Sequence, residues 1–177
     1  KTIDESADGA VLHLASGEQL RAQQVVVATN GYARELLPHL DVQPARGQVL
    51  LTAPIPGLRL KGTYHADEGY LYFRDFAGSV LLGGGRNLDK AGEATTEDAV
   101  TPQIQEHLEQ LLRNVILPDQ PFTIARRWSG VMGFGSEGKA PLVERVSPHV
   151  VAAVRLSGMG VAIGIRVARR AAGLVSQ

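Results

Sequence analysis

The amino-acid sequence predicts a mixed α/β fold that includes an antiparallel sheet. Three stretches carry that expectation. Val25-Val26-Val27-Ala28 is a β-branched apolar run that stops at Thr29-Asn30-Gly31. This is the pattern of a strand buried on both faces and closed by a turn dipeptide that tolerates positive φ. Ile104, Leu108, Leu111, Leu112 and Val115 recur at the spacing of one helix face, behind the start signal Thr101-Pro102. Val150–Val154, the turn Leu156-Ser157-Gly158-Met159-Gly160 and the run from Val161 to Val175 read as strand, glycine turn and second helix.

Between these anchors the elements follow in order. Val11–Leu14 and Gln19–Ala22 flank Ala15-Ser16-Gly17-Glu18 and form a hairpin. Tyr32–Leu37 makes a short helix, ended by Pro38. Val42–Thr52 is a long strand, with an edge or bulge where Pro44 removes a donor. Pro54–Gly62 is a loop. Gly69–Arg74 and Ser79–Gly85 pair across a turn at Ala77-Gly78, which places Tyr70, Tyr72 and Arg74 on one face and Leu71 and Phe73 on the other. After the polar stretch 89–101 and the helix, Phe122–Phe134 and Pro141–Val143 are further strands. In the last helix Ile163, Val167, Ala171 and Leu174 form the apolar face, and Arg166, Arg169 and Arg170 a solvated one.

Composition bounds the chemistry. The 177 residues are 44% hydrophobic and 20% charged, enough for a core and unlike a disordered chain. Eighteen Lys and Arg balance eighteen Asp and Glu, so no net field favours nucleic acid or anionic lipid. The absence of cysteine excludes disulfides, thiolate catalysis, cysteine-bound zinc and sulfur-linked cofactors. The five histidines have no ligand spacing, so no metal is expected, and no serine sits in a nucleophile elbow. No apolar run is long enough to span a bilayer and no signal peptide is visible, which sets the expectation of a cytoplasmic protein.

Gly158-Met159-Gly160-Val161-Ala162-Ile163-Gly164 would by itself suit a dinucleotide loop at a helix N-terminus. That assignment fails, because only 13 residues follow Gly164 and none is Asp or Glu. Gln24–Tyr32 in turn resembles the returning strand of the FAD-binding domain in the D-amino-acid-oxidase-like flavoprotein family (glycine oxidase, sarcosine oxidase, amine dehydrogenases). Further segments are similar in the same order: Pro44–Leu50, the hairpin Gly69–Asn87 with its Leu-x-Gly-Gly element, Trp128-Ser129-Gly130 followed by Lys139–Val143, and the final strand, glycine turn and helix.

The resemblance implies FAD as cofactor and a small amine or amino acid as substrate, oxidised by hydride transfer to flavin N5. It implies a partial FAD-binding domain of the glutathione-reductase-like type over 1–40 and 126–177, and an antiparallel-sheet substrate domain over 41–125. It places Ala28, Thr29, Asn30 and Gly31 on the adenosine side and Trp128 and Gly130 beside the cofactor. Gly158, Met159, Gly160 and Val161 would meet the flavin, where a helix N-terminus favours the reduced anion. Arg46, Tyr70 and Tyr72 become the candidate catalytic residues.

Two departures qualify this. The family's N-terminal G-x-G-x-x-G is missing, so the chain is expected to be a C-terminal part, inactive alone, completed by a missing N-terminal half or self-associating. Val131 and Met132 stand where glycine and D-amino-acid oxidases carry a carboxylate-binding Arg; Arg46, Arg74, Arg86 and Arg127 are the possible substitutes. A rival reading stays open, that of a non-catalytic binding or structural domain whose glycine loops are only turns.

Overall fold

A computed structural model describes residues 2–176. Its strands are β1 Thr2–Ser6, β2 Gly9–His13, β3 Gln19–Ala22, β4 Val25–Val27, β5 Gln43–Thr52, β6 Thr63–Ala66, β7 Leu71–Phe76, β8 Ser79–Gly84, β9 Ile124–Phe134, β10 Leu142–Ser147 and β11 Val150–Val154. Its α-helices are α1 Pro102–Leu111 and α2 Gly160–Val175. The chain divides into two units, Lys1–Ala45 with Met132–Gln177, and Arg46–Val131.

In the first unit β1, β2 and β3 form one antiparallel sheet. The second sheet has the order β10-β11-β4, with β10 antiparallel and β4 parallel to β11. All five residues of β11 are buried. On one side Ala152 and Val154 pack with Ala33, Leu40 and Val42, and on the other Val151 and Ala153 pack with Val167 and Ala171 of α2. The apolar stripe of α2 is thus the one its periodicity predicts.

Two local expectations for this unit need correction. The short helix expected at Tyr32–Leu37 is a 3₁₀ helix displaced to Asn30–Glu35, starting from Asn30 at φ 48°. The strand Val25–Val27 is not buried on both faces: Val25 and Val27 are buried, but Val26 is 43% exposed. Val26 pairs with Val151, on the side α2 covers, yet β4 is the outer strand of its sheet. Val26 faces a hollow of ≈ 320 Å³, also lined by Ala28, Gly164, Ala168 and Ala172. The small residues of α2 do not fill it.

The second unit is built on a five-stranded sheet of order β6-β7-β8-β5-β9. Leu50, Val80 and Leu82 of the sheet pack against Ile104, Leu108 and Leu112 from the α1 segment, and this cluster is the unit's core. β6 pairs with β7 but has no sequence signal, because Thr-Tyr-His-Ala is exposed throughout and lacks apolar alternation. Tyr70 lies before β7 at the end of a 3₁₀ turn, so it does not alternate with Tyr72 and Arg74 as the spacing suggested.

α1 runs into a π turn over Leu112–Ile116, closed by the Leu117 amide donating to the Leu112 carbonyl at 2.8 Å. The wider turn rotates Val115 out of the expected apolar face, leaving it 67% exposed, and Leu117 is buried beyond it. Thr101 precedes α1 but gives it no side-chain cap; its hydroxyl accepts from Gln48 Nε2 at 2.9 Å.

Candidate active site

The five-stranded sheet has a helix side and an open side. Register sets Val49, Gly83, Tyr72 and His65 in line on the open side, while Gln48 and Leu50 face α1. The Tyr72 ring lies over Gly83, where a Cβ would come within 2.5 to 2.6 Å of the ring. Burial pushes the Tyr72 phenol above its usual range. Gly83→Ala is expected to push the ring outward and return its titration toward an ordinary tyrosine value. Ultraviolet titration of the variant, with Tyr72→Phe as the reference, checks this.

Trp128 lies on β9, the outer strand of the same sheet, and is 37% exposed. Its neighbours Arg127 and Ser129 both reach partners on or beside α1.

Arg46 is not brought to this face. It is 4% exposed on the helix side, where Nε donates to Glu93 Oε2 at 3.0 Å and Nη2 to Glu93 Oε1 at 2.7 Å. Those bonds raise its pKa further. Its carboxylate partner is therefore inside the protein. Nothing in the local pattern marks Glu93, which sits in a polar stretch that reads as loop. Arg127 is likewise committed, to Gln105 and Glu109. Tyr70 lies beneath two cations, with Arg86 at 5.8 Å and Lys90 at 5.2 Å from its ring centre. Arg74 packs over Phe76.

In the first unit the backbone gathers the other predicted residues. Ala28 and Thr29 lead from β4 into Asn30, whose Oδ1 accepts the Leu156 amide at 3.1 Å. The Ser157 amide donates to the Gly133 carbonyl at 2.9 Å. Arg155, Ser157 and Gly158 all have left-handed φ, at 65°, 48° and 77°. Non-glycine residues hold that conformation only where surroundings enforce it, and such strain clusters at functional sites. The turn delivers the chain to α2, whose first turn carries neither an acidic residue nor a side-chain cap. The amides of Gly160 and Val161 have no partner among the described residues. Ser157 is 6% exposed and its Oγ has no hydrogen bond.

Asp41 braces this turn from behind. Its carboxylate accepts the Ser136 amide at 2.9 and 3.2 Å and Arg155 Nη1 at 2.7 Å, while Arg155 Nε donates to the Ala140 carbonyl. The Ser136 amide, with Arg155 adding to it, holds the Asp41 carboxyl below the usual carboxylate range. A depressed pKa adds stability above the unfolded-state value, lost as pH falls through the folded one. The stability gap between wild type and Asp41→Asn is therefore expected to be present at neutral pH and to close below about pH 3.9. Denaturant titrations at several pH values measure it.

The sequence pattern described as FAD dependent oxidoreductase (DAO) matches residues 1–174. The chain belongs to this family. Among individual relatives, the tRNA 5-methylaminomethyl-2-thiouridine biosynthesis bifunctional protein MnmC of Idiomarina loihiensis is 32% identical over 124 residues, 67% of this chain and 20% of that protein. Glycine oxidase from Geobacillus kaustophilus superposes with a TM-score of 0.77 at 21% identity, covering 99% of this chain and 47% of that one. Iminodiacetate oxidase (IdaA) from Chelativorans sp. BNC1 gives 0.73 at 20%, covering 99% and 48%. The chain thus spans about half the length of these solved structures and matches their mixed α/β fold. No described helix is long and apolar enough to cross a membrane.

The family is FAD-dependent, and the residues present fit that group. The orphaned Ser157 hydroxyl and the free amides of Gly160 and Val161 lie within five residues of one another at the start of α2, and both suit an electronegative acceptor. Among the sequence-derived candidates, Asn30 and the turn before α2 are joined through the Leu156 amide. Ser157 was missed there: serine in a Leu-Ser-Gly turn is ordinary, and only burial without a partner marks it.

Proposed function

We propose that this chain forms part of an FAD-dependent oxidoreductase that oxidises a small amine or amino acid. In this reading the unit of residues 1–45 and 132–177 holds the cofactor and that of 46–131 holds the substrate. The turn Arg155–Gly158 carries the reading, since two free amides, a helix N-terminus and a buried hydroxyl suit a group that gains negative charge. Bound FAD would accept the hydride from the carbon that bears nitrogen. Ser157, Gly160 and Val161 stabilise an electronegative edge, and Asn30 fixes the turn that presents them. Tyr72 and Trp128 offer flat surfaces that orient the substrate and exclude water. Arg74, two residues beyond Tyr72, takes over from Arg46 as the candidate for a substrate carboxylate. A neutral amine needs no further acid or base.

The outer edge of β4 and the apolar side chains of Val26, Val161 and Ile165 suit a further polypeptide segment, from a longer parent chain or a second copy. A monodisperse monomer in light scattering would count against self-association.

The product of the complete reading frame is expected to show the visible absorption bands of bound flavin, bleached without oxygen by a primary amine or amino acid. A colourless protein that takes up no FAD overturns the reading. In that protein Ser157→Ala is expected to weaken FAD binding about tenfold, the worth of one hydrogen bond to a charged acceptor, about 1.5 kcal/mol. Flavin fluorescence titration reads the change.

A further inference from the structure

The chain contains one tryptophan, Trp128, held on both sides. Arg127 Nη1 donates to Gln105 Oε1 at 2.7 Å and Nη2 pairs with Glu109, both acceptors being on α1. Ser129 Oγ donates to Asp98, in the segment before α1. The first clamp continues inward. Gln105 Nε2 donates to Gln48 Oε1 at 3.2 Å, Gln48 Nε2 donates to Glu93 Oε1 at 2.9 Å, and Glu93 carries Arg46. A polar chain therefore runs from β5 through the 89–101 segment and α1 to β9, all on the helix side. The indole is 37% exposed and has no aromatic or cation partner among the described residues. A partly exposed indole without a ring or cation partner depends for its placement on how firmly its backbone is held.

We infer that Arg127 and Ser129 are positioning residues for Trp128. Their bonds to Gln105, Glu109 and Asp98 pin β9 immediately before and after the indole and set it as a fixed flat surface. That a ligand ring or substrate rests on this surface follows from the function proposed above, but the positioning does not depend on it. Arg46 contributes at a distance, as the inner anchor of the same chain of bonds. A lysine at 127 would keep the charge toward Glu109 but lose the fork that serves Gln105 at the same time.

Because Trp128 is the only tryptophan, its fluorescence reports this site alone. Asp98→Asn and Glu109→Gln alter the acceptor ends of the clamps at exposed or half-exposed positions, so the fold is expected to survive. The experiment is time-resolved fluorescence anisotropy on the 177-residue chain, with a urea transition recorded for each variant. Each substitution is expected to raise the amplitude of the sub-nanosecond depolarisation about twofold, the timescale of freed side-chain rotation, and the double variant to raise it further. Arg127→Lys is expected to fall between wild type and Arg127→Gln. A merely structural role would move the urea midpoint and leave the fast phase unchanged. Variants that keep the wild-type midpoint and the wild-type fast amplitude overturn the inference. The readout needs no flavin: unchanged FAD binding with a freed indole would count against the proposed use of the surface, while the positioning itself would stand.

Discussion

Glu93→Gln is expected to destabilise the Arg46–Val131 unit by about 3–5 kcal/mol, the cost of leaving a buried charge without its counter-charge. Glu93 is 1% exposed and Arg46 4%, so water cannot replace the lost carboxylate. The substitution also disturbs Gln48, whose amide nitrogen shares Glu93 Oε1, and whose oxygen accepts the Thr101 amide at 2.9 Å. Removing both charges is a different matter. Arg46→Met combined with Glu93→Leu fills similar volume without an ion pair, and such replacements are often neutral or better. The expected result is therefore a large loss in the single variant and recovery of most of it in the double variant. Guanidinium unfolding curves with unchanged slope measure both. Equal losses in the two variants would show that packing, not charge, dominates at this position.

The second large effect is expected at Gly84. It has φ +124°, a conformation rarely open to other residues, and a Cβ there would overlap the carbonyl oxygen of Tyr70 and crowd the Leu71 backbone. Gly84→Ala thus combines backbone strain with a clash against atoms that cannot swing aside, for a loss of about 3 kcal/mol. Gly78, at φ +81° but with only Pro54 nearby at 3.9 Å, is the control for strain without a clash. Its alanine variant is expected to lose about 1 kcal/mol. Thermal unfolding of the two side by side separates the contributions.

Both effects arise where the sequence is only partly legible. Much of each unit's core could be read directly, because the apolar runs at Val25 and Val150, Val26 excepted, and the 104–112 stripe announce their burial by composition and spacing. The site residues divide differently. Asn30 and Gly158–Val161 stand at turns that glycine and asparagine mark, and the structure joins those turns through the Leu156 amide. Tyr72 and Gly83 could be placed on strands, but their contact depends on cross-strand register, which spacing within one strand does not contain. Arg46 shows the limit most clearly. Its motif matched the family, yet its partner Glu93 lies 47 residues away in a segment with no periodicity. No local pattern says whether an arginine on a strand faces a ligand or a buried carboxylate. Val115 failed for a related reason, since a π turn changes the helical period over a few residues and nothing in Leu-Arg-Asn-Val-Ile signals it.

The polar anchors on either side of Trp128 also bear on how the chain finds its pairing. β9 is the outer strand of its sheet, bonded to a neighbour on one side only, and a terminal strand can slide. A slip of one residue would carry Arg127 and Ser129 away from Gln105, Glu109 and Asp98. Every one of those bonds would be lost at once. What fixes the tryptophan in the finished protein also rejects the wrong alignment while the sheet is assembling.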